Sequence, residues 1–380
     1  MKIGIEAQRL FRKRKHGMEI VTLEIIKQLQ KIDKVNEYIV YVKDDEDSNC
    51  IEDTENFKIK VLPCYNHPFW EQVLLPKYAK KDKLDILHCT SNTAPIFYNQ
   101  PVLLTLHDII YLEIINFSGN AYQNFGNIYR RIVVPRSVAH SNHIITVSQY
   151  EKQNIVNYFK IDPTLVTVVY NGVSTNFQPI ENEPTKDLQF LDNFPDGYIL
   201  FLGNTAFKKN TIGVLRAYKK LLKLYSKAVP TLVITDVSEN YIFKILVEIK
   251  ATHLINHIYV SDHVAYSYMP TYYRKAKIFL YPSLRESFGL PILESMACGT
   301  PVVTSKLTAM PEIANEAAVL VDPYNPVEIA DGIIKILENK ENLSSKNISL
   351  GTKNAKNFDW KISAEKLVEV YKKMYSQIRA

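Results

Sequence analysis

Short apolar runs recur along the chain and alternate with longer stretches in which apolar positions step by three or four. Residues 3–5, 38–42, 58–62, 84–88, 102–106 and 144–147 read as buried strands. Between the first two, Met18, Val21, Ile25 and Leu29 share one helical face. Ser148 stands directly after a strand with Glu151 three residues on, so each can cap the other's end of a helix start. The repeating unit is a strand followed by a helix. A polar stretch from 171 to 197, carrying Pro179, Pro184 and Pro195, interrupts the pattern and reads as a linker. The alternation then resumes, with strands expected at 198–202, 231–235, 258–260, 278–281, 301–304 and 318–321. Strands joined through helices lie parallel with helices on both faces, so the pattern predicts an α/β protein of two parallel-sheet domains facing a cleft. The expected boundaries are 1–175 and 197–357 for the domains, 176–196 for the linker and 358–380 for a last helical segment. Ligands of such sheets bind beyond the carboxyl ends of the strands, which is where functional residues are expected.

Composition narrows the function. A chain of 380 residues with 46% hydrophobic and 23% charged residues is globular, and a net charge of +6 is too small for a dedicated nucleic-acid binder. Its 12 glycines include no G-x-G pair and no G-x-x-x-x-G-K-[ST], so both common nucleotide-binding loops are excluded. Cys50, Cys64, Cys89 and Cys298 form no C-x-x-C pair, which disfavours a zinc ribbon and suits a reducing cytoplasm. The opening Met1-Lys2-Ile3-Gly4-Ile5 reads as a strand rather than a leader. Asn92, Pro95, Asn99, Gln100 and Pro101 break the charge-poor stretch 86–107, so it is not a membrane span and any membrane contact would be peripheral.

The richest chemistry lies between Tyr281 and Pro301. A strand ends, a loop carries Glu286, and Pro291 suits the first position of a helix. Gly289 lets backbone approach a ligand, and the amides of a helix start favour an anion such as a diphosphate. Glu286 and Glu294 flank that helix start and can accept hydrogen bonds from sugar hydroxyls at either end of a bound ligand. A plainer reading has Glu294 complementing the helix dipole and Glu286 as a solvated loop charge.

The run P-S-x-x-E-x-F-G-L-P-x-x-E-x-M-A-C-G-T-P-V-V resembles the signature of retaining glycosyltransferase family 4, whose members have the GT-B fold of two Rossmann-like domains. Leu106-His107-Asp108, Val169-Tyr170-Asn171-Gly172-Val173, Phe201-Leu202-Gly203 and Lys208-Lys209-Asn210 extend the likeness over nearly the whole chain. The resemblance implies that Glu286 contacts the donor sugar, Glu294 the ribose, and Lys209 the diphosphate leaving group. Backbone amides from Ser287 through Phe288, Gly289 and Leu290 would hold the diphosphate and sugar. Lys208 is either a second cation for the diphosphate or a solvated charge. His107 would lie beside the donor sugar, against the plainer reading of a satisfied core histidine. Gly17 matches the glycine of the first loop that nears the phosphates, Val264 would line the base pocket, and the last helix would pack back on the first domain. The departures are Asn204 where many relatives carry Arg, one glycine in His16-Gly17-Met18-Glu19 where relatives often have two, and Asp236 where a glycine is usual.

The implied activity is transfer of a hexose, with retention, from a nucleotide-diphosphate sugar to a glycan or lipid-linked acceptor in surface polysaccharide biosynthesis. GDP-mannose is the first donor to test and UDP-hexoses the next, with no metal and no other cofactor. A nucleotide-sugar 2-epimerase and a non-catalytic nucleotide-sugar-binding subunit are the alternatives. Arg12, Lys13, Arg14 and Lys15 precede Gly17 and could hold an anionic acceptor, dock on an anionic leaflet, or be solvated. Asp44-Asp45-Glu46-Asp47 mimics a metal-binding D-x-D but reads as solvated charge. A cytoplasmic protein, peripheral at the inner face of the membrane, is expected.

Overall fold

The computed structural model describes residues 1–63, 65–113, 121–179, 186–339 and 342–379. It divides into two compact units, Met1–Gly172 with Trp360–Ala380 and Val173–Asp359. In the first, β1 (Lys2–Glu6), β2 (Glu37–Val42), β3 (Phe57–Val61), β4 (Ile86–Cys89), β5 (Val102–Thr105), β6 (His143–Thr146) and β7 (Val166–Val168) form one sheet in the order β3-β2-β1-β4-β5-β6-β7. Every pairing is parallel. The second unit repeats the design with β8 (Tyr198–Leu202), β9 (Leu232–Thr235), β10 (Ile258–Val260), β11 (Ala276–Tyr281), β12 (Val302–Ser305) and β13 (Ala318–Val321), ordered β10-β9-β8-β11-β12-β13. In both sheets the order reverses beside the first strand, between β1 and β4 and between β8 and β11. That reversal splays the following loops apart and leaves a crevice at the carboxyl ends of the two strands.

The central strands are apolar on both faces because helices cover both. Every residue of β4, β5, β6, β9 and β12 is buried. The helix Gly17–Ile32 turns Leu23, Ile26 and Leu29 onto the first sheet. The last helix, Trp360–Arg379, adds Ala364, Leu367, Val370, Tyr371 and Met374 to that same core, so the end of the chain belongs to the first unit. A buried polar link reinforces it, with His88 Nδ1 2.7 Å from the Tyr371 hydroxyl and His88 Nε2 2.7 Å from Thr105 Oγ1. Burial pushes the His88 pKa down to about 3, so this link is a neutral one.

The segment expected as a linker is partly core. Phe177, Leu188 and Leu191 are buried among Tyr198, Tyr272 and Met296, because this proline-broken stretch still supplies apolar side chains that only the second unit can cover. Residues 180–185 of that linker lie outside the described residues. Strand β7, of three residues, was not among the strands expected.

Candidate active site

Two loops meet at the β8/β11 reversal. After β8, Gly203 leaves no room for a side chain, since a Cβ there would lie 2.7 Å from the Thr235 carbonyl oxygen. The chain then makes the turn Phe207–Lys209, and Asn210, at φ 62°, opens the helix Thr211–Leu224. After β11 comes the loop 282–289. The amide of Leu284 donates to the Lys208 carbonyl at 2.7 Å, and Asn210 Nδ2 donates to the carbonyls of Pro282 at 3.0 Å and Pro323 at 2.7 Å. These bonds fix Lys209 over the second loop. Its Nζ lies 2.7 Å from Glu286 Oε1 and 2.7 Å from the Tyr281 hydroxyl, and 5.0 Å from the centre of the Tyr281 ring. Burial raises the pKa of the Glu286 carboxyl, but the ammonium groups of Lys209 and Lys208 outweigh it and hold the group below the usual carboxylate range. Glu286 is thus a buried, charged partner of the lysine and not a solvated loop residue.

Gly289 stands at φ 106°, a conformation that favours glycine, and caps the helix Leu290–Ala297. The helix begins one residue before Pro291, which puts Glu294 beyond the first turn and removes the dipole reading. Glu294 points inward, is 5% exposed, and accepts hydrogen bonds from the hydroxyls of Tyr266 at 2.8 Å and Tyr273 at 3.0 Å. Burial pushes its pKa up to about 7 against those two donors. Ser287 and Leu290 are half-buried, while Phe288 packs its ring 5.9 Å from that of Phe358. Val264 is buried in the apolar cluster with Tyr272 and Met296. The second unit thus brings Lys208, Lys209, Glu286, the 287–290 segment and Glu294 onto one pair of loops and the helix that follows.

The first unit holds its polar residues at the corresponding reversal. Glu6, the last residue of β1, accepts from the amides of Gln8 at 2.9 Å and Thr90 at 3.3 Å, and burial raises its pKa. His107 follows β5. Its amide donates to Asn92 Oδ1 at 2.6 Å, and its Nε2 lies 3.0 Å from the Thr90 carbonyl, which makes Nε2 the protonated nitrogen and leaves the Nδ1 lone pair. Burial lowers its pKa, so the ring is neutral near pH 7. The residue lines a cavity with Ile5, Thr90, Thr105, Val147 and Asn171. A Cβ on Gly17 would meet nothing within 4 Å, so the space over that helix start is open.

The basic loop carries several ion pairs. Lys15 bonds the Arg12 carbonyl at 2.9 Å and pairs with Asp47, Lys13 lies 3.2 Å from Glu46, and Arg12 lies 3.8 Å from Glu19. The acidic run 44–47 therefore meets the loop from a segment about 30 residues away in sequence. Lys13 and Arg14 remain exposed, so Arg12, Lys13, Arg14 and Lys15 form a basic loop that Glu19, Glu46 and Asp47 balance only in part.

Comparison with known proteins decides the family. The family model for glycosyl transferases group 1 matches residues 187–358, and that for Glycosyltransferase Family 4 matches residues 16–177. This chain belongs to the GT-B glycosyltransferase family. Among curated relatives of this chain, O-antigen chain mannosyltransferase B of Escherichia coli is 28% identical over 60% of this chain and 60% of its own length. O-antigen chain mannosyltransferase RfbU of Salmonella typhimurium is 26% identical over 70% of this chain and 68% of its own. The match thus spans less than two thirds of the first of these proteins. Anabaena Alr3699/HepE, solved with UDP and glucose, shares the fold at TM-score 0.75 and 17% identity, covering 98% of this chain and 100% of that one. Sucrose-phosphate synthase from Thermosynechococcus elongatus does so at TM-score 0.74 and 17% identity, covering 99% of each.

Sequence reasoning missed Tyr266, Tyr273 and Tyr281, the hydroxyls that meet Glu294 and Lys209, because nothing marks them among 24 tyrosines. It also missed Glu71, buried on the π-helical turn Trp70–Leu74, where Tyr129 donates to it at 2.5 Å. Among the described residues, no three His, Cys, Asp or Glu side chains gather as metal ligands, and no helix is long and apolar enough to cross a membrane.

Proposed function

We propose that this protein transfers a hexose from a nucleotide-diphosphate sugar, with retention, to a glycan or lipid-linked acceptor in the assembly of a surface polysaccharide. One arrangement carries the reading. Two buried glutamates flank the start of the helix Leu290–Ala297, one paired with a lysine and the other with two tyrosine hydroxyls. A sugar at Glu286, a diphosphate at Lys209 and the helix amides, and a ribose at Glu294 would match that order of charges along one ligand. Negative charge grows on the diphosphate as the glycosidic bond breaks, so a fixed ammonium there favours the transition state over the ground state. Because Lys209 holds Glu286, the glutamate is placed to bind hydroxyls rather than to attack. The departing diphosphate is then the group that takes the acceptor proton, on the same face of the sugar. From the first unit, the neutral His107 offers Nδ1 as an acceptor for a substrate hydroxyl.

The names of the relatives favour mannose as the sugar moved, so GDP-mannose is the first donor to test, and the UDP and glucose of the HepE complex make UDP-glucose the next. We place the protein at the inner face of the cytoplasmic membrane, where a lipid-linked acceptor would be presented. The test is release of nucleoside diphosphate from each donor, with and without acceptor, and with excess chelator. Acceptor-dependent release that chelator does not slow is expected, since Lys209 and the helix start do the work a cation would otherwise do. Epimerised product would convict the 2-epimerase reading, while tight binding without turnover would point to a non-catalytic subunit. Loss of turnover with chelator and rescue by manganese would remove the metal-independent mechanism.

A further inference from the structure

A lysine is a flexible tether for a charge. Its four-carbon stem carries large rotamer freedom, and a cation that must meet a leaving group works only if that freedom is already removed. The bonds from Leu284 to Lys208 and from Asn210 to Pro282 fix the backbone around Lys209 and leave its ammonium unplaced. Two groups place it: Glu286, at 2.7 Å, and the hydroxyl of Tyr281, also at 2.7 Å. They are not equivalent. A carboxylate orients the ammonium but opposes its charge, and in the proposed reaction Glu286 turns to the donor sugar. A phenol orients it without a countercharge and stays where the strand puts it.

Tyr281 is built to stay. It is the last residue of β11, 1% exposed, with its ring stacked 5.5 Å from Phe279 and its strand paired to Thr304 of β12. The hydroxyl accepts from Lys209 and donates toward Glu286, which puts the ammonium beyond the hydroxyl edge of the ring, 5.0 Å from its centre. We infer that Tyr281 is a positioning residue for catalysis, holding the Lys209 ammonium in its working place without neutralising it when Glu286 is drawn to substrate. This rests on Lys209 being the group that meets the diphosphate. It adds a residue outside the glutamate–lysine set, acting through the lysine rather than on substrate.

Tyr281→Phe keeps the ring and its stacking and removes one oxygen. The measured quantity is release of nucleoside diphosphate from GDP-mannose, or from UDP-glucose if that is the donor turned over. Tyr281→Phe is expected to lower kcat on the order of tenfold or more, the usual weight of a hydrogen bond to a charged group, with the donor KM within about twofold. Lys209→Ala should lose more, and Lys209→Ala with Tyr281→Phe should be no slower than Lys209→Ala alone, because the hydroxyl acts only through the ammonium. Losses that multiply in the double variant would overturn the inference, since a merely structural tyrosine behaves that way. So would a normal kcat in Tyr281→Phe beside a slow Lys209→Ala, which would leave the role of the lysine standing. A normal kcat in Lys209→Ala would remove both readings. If Tyr281→Phe does not fold, 3,5-difluorotyrosine at position 281 keeps the hydroxyl but makes it a weaker acceptor. A several-fold fall in kcat is then expected, and no change would count against the proposal.

Discussion

Glu294 and Glu71 are carboxyl groups that the fold favours in the protonated form. Burial pushes each to about 7, above the ordinary 4.5, although Tyr266 and Tyr273 donate to the first and Tyr129 to the second. A carboxyl raised on folding contributes stability that is present in full below about 4.5 and is lost as pH rises through about 7, because the unfolded chain ionises it freely and the folded chain does not. The shift corresponds to at most about 3 kcal/mol for each group. Glu294→Gln should therefore gain on the wild type as pH goes from 5 to 8, which urea unfolding at the two pH values measures. A difference that does not vary with pH would show that Glu294 is ionised in the folded protein at both. The bond between Lys209 and Glu286 carries a related lesson. Removing Glu286 also frees Lys209 from one of its two anchors, so the separate sugar and diphosphate roles implied by the motif will not separate cleanly in single variants.

At the scale of elements, the helix Ala121–His140 has an unusual outer face. Val133, Val134 and Val138 are buried, yet Phe125, Ile128 and Ile132 are 56%, 46% and 51% exposed at spacings of three and four, with Arg131 and Arg136 alongside. An apolar stripe edged by arginine suits the boundary of an anionic leaflet better than water. The protein should cosediment with vesicles containing phosphatidylglycerol and not with phosphatidylcholine alone. Ile128→Ser with Ile132→Ser should abolish this while nucleoside diphosphate release to a soluble acceptor persists. Unchanged sedimentation would exonerate the helix. Neutralising Arg12, Lys13 and Lys15 should matter less, as Glu19, Glu46 and Asp47 already balance them in part. That pairing shows what the sequence could and could not say. Strands and capped helices were legible, Ser148 with Glu151 among them at 3.1 Å, because period and capping are local properties. The placing of Glu286, Glu294 and Lys209 on adjoining loops and one helix was legible through motif spacing. The ion pairs of the basic loop, the tyrosines behind the active groups and the burial of Phe177, Leu188 and Leu191 were not, because each depends on a partner brought near only by the fold.

On the scale of the whole molecule, both sheets use the same strand order around their first strand, and both gather polar residues at the reversal. The units differ in continuity. The second is one uninterrupted segment, Val173–Asp359, while the first takes Met1–Gly172 and returns for Trp360–Ala380. The second unit should therefore fold as a fragment and bind nucleoside diphosphate, by circular dichroism melting and calorimetry. A fragment ending at Gly172 should fail to fold until residues 360–379 are supplied, since Leu367, Val370, Tyr371 and Met374 complete its core. A cooperative melt from residues 1–172 alone would refute this. The same discontinuity orders events during synthesis. The ribosome delivers the whole second unit before the first can close, so for as long as translation of 173–359 takes, the sheet flank that Trp360–Arg379 will cover stays bare to chaperones and to other nascent chains.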